Sequence, residues 1–564
     1  MLRYRNLIEA LFAAPAERPF ITFWADEDTQ ETVTFGEFRN RAGAQASALQ
    51  IQGLQHGDRV VIIMPQGIAA MTAFAGAMML GAVPAFLAYP NEKVEAAKYR
   101  SGLLGVTENL KAKLVAIDKD FPDDLLNCVS VKDGTMLFRV SDATTPRTEA
   151  RDWHLERGAR DIAFIQHSAG TTGLQKGVAL THSAVLRQLE HLSRALEIDS
   201  DKDRIYSWLP LYHDMGLIAC FMLPMVCHIP VAMQSPIEWV MQPETMLQVI
   251  TEQRSTLAWM PNFAFQFVPR RTRTNRRSQY DLSSIRALIN CSEPVRDRSM
   301  QEFREAFGAC GLKPGALQSS YAMAENVFAV SQSDIHEEGP KRTWADGKQF
   351  RAEHRIKPVA EGTPGSISFT SSGRLLPSQQ IRIVSDAVNA LENGAVGEIY
   401  VKGDCLFDGY YNRPDLTAEA IVDGWYRTGD LGFLLDGELY VVGRKKDLII
   451  VGGENLYPQD IEELAASHPA VHDGRVIALG IYNADLGTEE VVVVAEAETD
   501  NDLAHKAEIE CEIRSRIVSG LGVAPAMIFL KPPKWIVKST AGKPARSATL
   551  EKLLKEHPEL CTAP

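Results

Sequence analysis

From Val60 to Asn91 this chain carries no charged side chain. A run of that length belongs either in a lipid bilayer or inside a large protein core. Its internal punctuation favours the core. Arg59-Val-Val-Ile-Ile-Met has the all-apolar character of a strand buried on both faces, and Pro65-Gln-Gly supplies a turn. Ile68–Leu80 reads as a helix of small residues, and Gly81-Ala-Val-Pro84 ends it before a second strand at Ala85–Ala88. The segment is therefore expected to be a strand–helix–strand unit, with no transmembrane segment.

The flanks repeat the alternation. Phe35, Phe38, Ala42, Ala46 and Leu49 recur at helical spacing within Thr34–Leu54, and Thr34 with Glu37 can form a capping box at its start. Lys93–Leu110 reads as a helix and Leu114–Ile117 as a strand. Strands alternating with helices predict an α/β fold, a parallel sheet covered by helices on both faces. At 564 residues the chain is too long for one core. The polar stretch 333–366 reads as an insertion or long loop. After Ser366, short β-rich runs (Ile381-Arg-Ile-Val, Gly397-Glu-Ile-Tyr-Val, Gly437-Glu-Leu-Tyr-Val-Val) suggest a β subdomain. A final α+β region follows from Lys446, with a helix at Asp460–Ser467 and a strand at Glu489–Ala495.

The net charge of −13 argues against a general polyanion-binding surface, so no nucleic acid is expected. Residues 269–277 hold five arginines, which read as a solvated loop or, more sharply, as a docking patch for an acidic partner. Eight scattered cysteines without a Cys-x-x-Cys fit a reducing compartment and offer no zinc site. The first ten residues look like the start of an amphipathic helix, and Glu9 argues against a signal peptide, so a cytoplasmic location is expected.

Chemistry enters at Ser168-Ala-Gly-Thr-Thr-Gly-Leu-Gln-Lys-Gly177, between an apolar run at Ile162–Ile165 and a helical pattern from about Thr181. Glycines let backbone N–H groups approach phosphate oxygens, and Thr171, Thr172 and Lys176 add hydroxyls and a positive charge. It is not a Walker loop, because Gly177 follows the lysine. A Rossmann oxidoreductase is excluded by the lack of a Gly-x-Gly-x-x-Gly turn near the start.

This loop resembles the phosphate loop of the AMP-forming adenylating enzymes, and seven further segments follow in that family's order up to Arg546. Leu209-Pro-Leu-Tyr-His-Asp-Met-Gly216, Asn290-Cys-Ser-Glu-Pro294 and Ser320-Tyr-Ala-Met-Ala-Glu325 are the first three. Tyr426-Arg-Thr-Gly-Asp-Leu-Gly432, Gly443-Arg-Lys-Lys-Asp-Leu-Ile-Ile450, Asn455-Leu-Tyr-Pro-Gln-Asp-Ile-Glu462 and Ser539-Thr-Ala-Gly-Lys543 complete the series. The chain is similar throughout to this superfamily, most to its fatty acyl-AMP ligase and acyl-CoA synthetase branch, with coronafacate-ligase-like amide ligases also in view. The resemblance implies a large domain over 1–445 and a small mobile α+β domain over 446–564, with Lys446 as hinge.

It further implies ATP and Mg²⁺ as cofactors and a carboxylic acid substrate. ATP would be held by Ser168, Gly170, Thr171, Thr172, Gly173 and Lys176 at the phosphates. Ser292, Glu293, Pro294, Tyr321 and Ala324 would hold adenine, and Asp430 and Arg444 the ribose. His213, Met215, Asn262 and Ala322 would border the acyl group. Glu325 would bind the metal, and Lys543, Glu325 and Thr172 would be catalytic, with Lys543 gripping the carboxylate and α-phosphate. Three departures stand out: Ala169 for a serine, Gln175 for a proline, and Ala322 for a glycine. Losing the serine removes one phosphate hydrogen bond, about 1–3 kcal/mol if charge-assisted. The acceptor of the acyl group is open between an acyl carrier protein, an amino acid and CoA. Tyr457-Pro-Gln-Asp-Ile-Glu462 favours the carrier protein, while Val451-Gly-Gly-Glu-Asn455 looks more like the turn of CoA ligases. A non-catalytic nucleotide- or acyl-binding relative is the competing class, and retention of Lys176, Glu325, Asp430, Arg444 and Lys543 argues against it.

Overall fold

The computed structural model describes residues 4–25, 29–90, 96–129, 134–140, 153, 158–167, 176–451, 454–483, 486, 488–538 and 544–560. The charge-free run lies at its centre. Strands Arg59–Ile63 and Val83–Phe86 flank the helix Ile68–Leu80, in which every residue but Ala69 is buried. They join Leu114–Ile117 and Met136–Arg139 in an all-parallel four-stranded sheet. The helix Phe35–Ile51 crosses the buried helix so closely that a Cβ on Gly76 would stand 2.5 Å from the Ala42 carbonyl oxygen. Only glycine fits that crossing. The Thr34 hydroxyl accepts from Glu37 N at 3.2 Å, and Glu37 Oε2 accepts from Thr34 N at 2.8 Å, closing the expected capping box. Among the described residues no helix is long and apolar enough to cross a membrane.

A second, nine-stranded sheet carries most of the candidate site. Six of its strands run parallel in the spatial order Leu317–Ala322, Ala287–Asn290, Leu257–Met260, Ile205–Ser207, Val231–Gln234 and Pro19–Trp24. Antiparallel strands close both margins, Ala329–Gln332 with Arg374–Leu375 at one and Gln30–Thr34 at the other. The β subdomain is a five-stranded antiparallel sheet built from Gln380–Val384, Gly397–Lys402, Ile421–Val422, Trp425–Leu435 and Glu438–Arg444.

Two sequence readings need correction. The stretch 333–366 is not a loop. Arg342–Asp346 and Pro358–Val359 are strands on either side of the helix Gly347–Glu353, and all pack with Ser366–Thr370 in a three-stranded sheet. Its outer face pairs Arg342, Trp344 and Asp346 with Thr370, Ser368 and Ser366, while Ala345 and Phe350 are buried and the Phe350 ring packs at a tilt against Phe369, centroids 4.9 Å apart. The arginine-rich run is not a plain loop either. It ends the helix Ala264–Arg271 and enters a 3₁₀ turn at Thr274–Gln279. Arg270 pairs with Glu302 at 3.0 Å, Arg276 with Glu244, and Arg277 donates to the Pro269 carbonyl at 2.7 Å.

Beyond Lys446, the strands Val471–Asn483, Thr488–Ala497 and Met527–Lys531 form a mixed sheet backed by helices Pro458–Ala466, Lys506–Leu521 and Arg546–Glu556. One core of this unit is drawn wholly from residues 449–530, around Ile461, Ile513 and Val493.

Candidate nucleotide-binding site

Strand ends from two sheets meet around one carboxylate. Tyr321, near the end of Leu317–Ala322, donates its hydroxyl to Asp430 Oδ2 at 2.6 Å. Asp430 lies on Trp425–Leu435, directly across the ladder from Arg444, whose Nε is 3.3 Å from Asp430 Oδ1. The Asp430 N–H is tied to Thr428 Oγ1 at 3.0 Å. Burial, reinforced by Asp430, pushes the Tyr321 phenol far up, so it remains a donor. The Asp430 charge in turn holds the Arg444 guanidinium up.

Three residues past Ala322, Glu325 sits in a 3₁₀ turn. Directly after that turn, Val327 has φ +63° and ψ −53°, and Phe328 N donates to Asn326 O at 2.7 Å. A buried β-branched residue in this γ-turn is strained, at a typical cost of about 1–3 kcal/mol. Glu325 is fixed from the other side: Tyr410 donates its hydroxyl to Oε1 at 2.8 Å, and Phe407 N donates to the Glu325 carbonyl at 2.8 Å. The Tyr410 ring also lies under Lys176, with Nζ 4.7 Å from its centroid. Tyr411 N donates to Gly177 O at 2.7 Å, tying segment 407–411 to the strand that follows the glycine-rich loop.

That loop joins two antiparallel strands, Ile162–His167 and Gly177–Thr181, and Thr181 then caps the helix His182–Ala195. His167 stands opposite Gly177, buried, and among the described residues neither ring nitrogen has a hydrogen-bond partner. Burial pushes it down to about 4, so it is neutral at pH 7.

The third wall is Asn290–Pro294. Ser292 adopts φ +69°, uncommon for a residue with a Cβ. Its hydroxyl points to Met215 Sδ at 3.9 Å, which brings the Leu209–Gly216 segment to the same edge. Met215 N donates to Asp214 Oδ1 at 2.7 Å and to His213 Nδ1 at 3.3 Å. The chain then winds into a π-helix, Met215–Met222. Gly216 passes so near Pro210 that a Cβ would stand 2.3 Å from its carbonyl oxygen. Glu293 Oε2 accepts from Phe263 N at 3.0 Å. Asn262 is a brace: its Oδ1 accepts from Asn290 Nδ2 at 2.9 Å and from Arg296 N at 3.1 Å, and its Nδ2 donates to Ser299 Oγ at 3.0 Å.

Tyr321, Asp430 and Arg444 thus form one contact group, Glu325 and Lys176 are joined to each other through Tyr410, and Ser292 and Met215 border one edge. Ser168, Gly170, Thr171, Thr172, Gly173 and Lys543, with Ala169 and Gln175, lie outside the described residues. Sequence reasoning missed Tyr410, although the Gly409-Tyr-Tyr411 string between two recognised segments was a visible signal.

A cradle at the ends of a parallel sheet, faced by a β subdomain and followed by a small α/β unit, is the architecture of fatty acyl-adenylate ligases. One structure from a study of fatty acyl-adenylate ligases from E. coli and L. pneumophila superposes with a TM-score of 0.88 at 27% identity, over 99% of this chain and 99% of that one. The L. pneumophila enzyme with acyl adenylate and pyrophosphate gives 0.72 at 28% identity, over 98% of this chain and 97% of that one. The AMP-binding enzyme family model matches residues 9–411, and the chain belongs to that family. Among curated relatives, the long-chain-fatty-acid–AMP ligase FadD32 of Mycolicibacterium smegmatis is 31% identical over 94% of this chain and 90% of its own. FadD26 of Mycobacterium bovis, of the same description, is 30% identical over 93% and 91%.

Proposed function

We propose that this chain activates a fatty or fatty-like carboxylic acid with ATP and then transfers the acyl group to the thiol of an acyl carrier protein. A carboxylate oxygen attacks the α-phosphorus, the bond to the β-phosphate bridging oxygen breaks, and pyrophosphate leaves. The acceptor sulfur then attacks the acyl carbon, and AMP departs. The observation that carries this reading is the Tyr321–Asp430–Arg444 cluster, with Glu325 and Lys176 joined through Tyr410. It offers an acceptor pair for ribose hydroxyls, an aromatic wall for adenine, and a cation and carboxylate for the polyphosphate.

The roles follow from chemistry. Asp430, paired with Arg444, would accept from the ribose hydroxyls. Tyr321 and the Ser292–Pro294 edge, with Ala324, would hold adenine. Lys176 and the loop residues Ser168, Gly170, Thr171, Thr172 and Gly173 would bind phosphates, and Lys543 would bridge the attacking carboxylate and the α-phosphate. His213, Met215, Asn262 and Ala322 would border the acyl group, Asn262 by holding the strand ends in place. Glu325 suits Mg²⁺, because Tyr410 orients its hard carboxylate at the polyphosphate end of the cluster. The ion would neutralise charge on the leaving pyrophosphate. The units 1–445 and 446–564 would act as separate domains about Lys446. The names of relatives that match 93–94% of this chain support a fatty acid substrate.

Amine or CoA as acceptor is the second reading, favoured by Val451-Gly-Gly-Glu-Asn455. Mass spectrometry of reactions with ATP, Mg²⁺ and a panel of carboxylic acids separates the cases. Acyl-AMP is expected without acceptor, and acyl transfer on adding a phosphopantetheinylated carrier protein. Prompt acyl-CoA or an amide would replace the acceptor assignment. Acids that give no adenylate at all would overturn the activity.

A further inference from the structure

Arg296 is two residues beyond the Asn290–Pro294 edge, and its backbone is held against the strand ends through Asn262. Its side chain leaves the large unit. Nη1 stands 3.5 Å from Asp460 Oδ1 and 3.3 Å from Glu463 Oε2, both on the helix Pro458–Ala466 of the small unit. These two acids are three positions apart on one helix face, so they repel each other unless a cation sits between them. Arg296 is that cation.

The same helix is gripped from its other side. Arg546 forms a fork on Glu462, with Nη2 at 3.0 Å from Oε2, and its Nε is 3.6 Å from Asp447. Glu462 Oε1 also accepts from Ala478 N at 2.9 Å. Helix 458–466 is therefore a rigid strut between the adenine edge and the segment that leads into Arg546, three positions after Lys543 in sequence. The apolar part of the junction includes Tyr457, buried among Phe350, Phe433 and Tyr440 of the large unit. A junction that combines an aromatic anchor with a charged triad has the polar character of separable domain interfaces.

We propose that Arg296 is a positioning residue that couples occupancy of the adenine edge to docking of the 446–564 unit. The proposal rests on the nucleotide reading above. A nucleotide base that orders residues 292–294 fixes the backbone from which Arg296 reaches, and so favours the docked position. Docking in turn fixes the strut to which the Lys543 segment is attached through Arg546.

The test uses the full chain with one fluorophore on an exposed position of each unit, and reads energy transfer with and without AMP. In the native protein AMP is expected to raise the docked fraction. Arg296→Ala should lose that response and lower ATP–pyrophosphate exchange about tenfold, the range of coupling between residues sharing one charged network. Arg296→Glu combined with Asp460→Arg and Glu463→Arg should recover much of both, which guards against a variant that merely folds poorly. An AMP response in Arg296→Ala equal to that of the native chain would overturn the coupling. So would loss of exchange with energy transfer unchanged, since Arg296 would then act on the nucleotide alone. A native chain that responds to AMP through Arg296 but exchanges no pyrophosphate with any acid would leave the coupling standing and remove the adenylation reading.

Discussion

The nucleotide cradle and the junction between the two units are built from the same residue types to opposite ends. In the cradle, Asp430 is held at 2.6 Å by a buried tyrosine and at 3.3 Å by an arginine, each from a different strand. At the junction, Arg296 meets two partly exposed acids at 3.3 and 3.5 Å, all at helix or loop positions. Strands from several parents, crossing at one carboxylate, leave little room to relax. Dipoles held so stabilise developing charge without reorganising. Half-solvated pairs on a helix can separate and be replaced by water at small cost. The difference predicts a rigid chemical centre served by a movable unit, and substitutions in the two places should fail in different ways.

The largest failure is expected at the lysine that the small unit is proposed to bring. Lys543→Ala should abolish acyl-AMP formation, by a factor on the order of 10³ or more, with circular dichroism unchanged. Near-normal pyrophosphate release from that variant would sink the lysine's assignment. Next comes the cradle's centre. Asp430→Ala removes the proposed acceptor of two ribose hydroxyls and takes from the buried Tyr321 hydroxyl its carboxylate partner. A charge-assisted hydrogen bond is worth about 1.5–3 kcal/mol, so the KM for ATP should rise by about 100-fold, while AMP-driven docking should weaken only in proportion to AMP affinity. A rise in KM below threefold would contradict the ribose role. Tyr410→Phe is milder, because the ring under Lys176 remains and only the hydroxyl holding Glu325 is lost. A kcat reduced about tenfold at saturating ATP, shallower at high Mg²⁺, is the expected outcome. An unchanged rate would make the Tyr410–Glu325 bond a structural one.

How much of this could be read in the chain depends on the range of the interactions. The capping box at Thr34 and Glu37, the helix 68–80 and the strand Leu114–Ile117 are set by neighbours within a few positions, and their patterns predict them closely. The cradle residues Tyr321, Asp430 and Arg444 were legible as motif members. Their mutual contacts were not, since they span more than 100 positions of sequence. Stretch 333–366 misled because a short sheet with one polar face has the composition of a loop, and its buried residues are few, Ala345 and Phe350 among them. Val327 carries no local signal for a positive φ. Its strain is imposed by the strands on either side of Glu325. No sequence pattern singles out Arg296, because its partners lie over 160 positions away.

The smallest expected effect concerns His167, under the stem of the glycine-rich loop. It differs from the ionic groups at the junction in being buried with no hydrogen-bond partner among the described residues, and burial is what lowers its proton affinity. Its folded value of about 4 lies below the ordinary 6.5. The unfolded chain therefore binds the extra proton first, and stability falls as pH drops from about 6.5 toward 4. Between pH 7 and pH 5 the loss attributable to this one side chain is about 2 kcal/mol. His167→Phe should remove that share, so its urea midpoint should fall less than the native one over the same interval. The junction, whose Asp460 and Glu463 pair with an arginine that stays charged throughout, should keep its docked fraction across this range. If both midpoints fall equally, the acid sensitivity lies elsewhere. If docking is lost along with stability in the native chain and retained in His167→Phe, the loop stem and the junction are one cooperative unit, and the contrast between a rigid cradle and a separable small unit gives way.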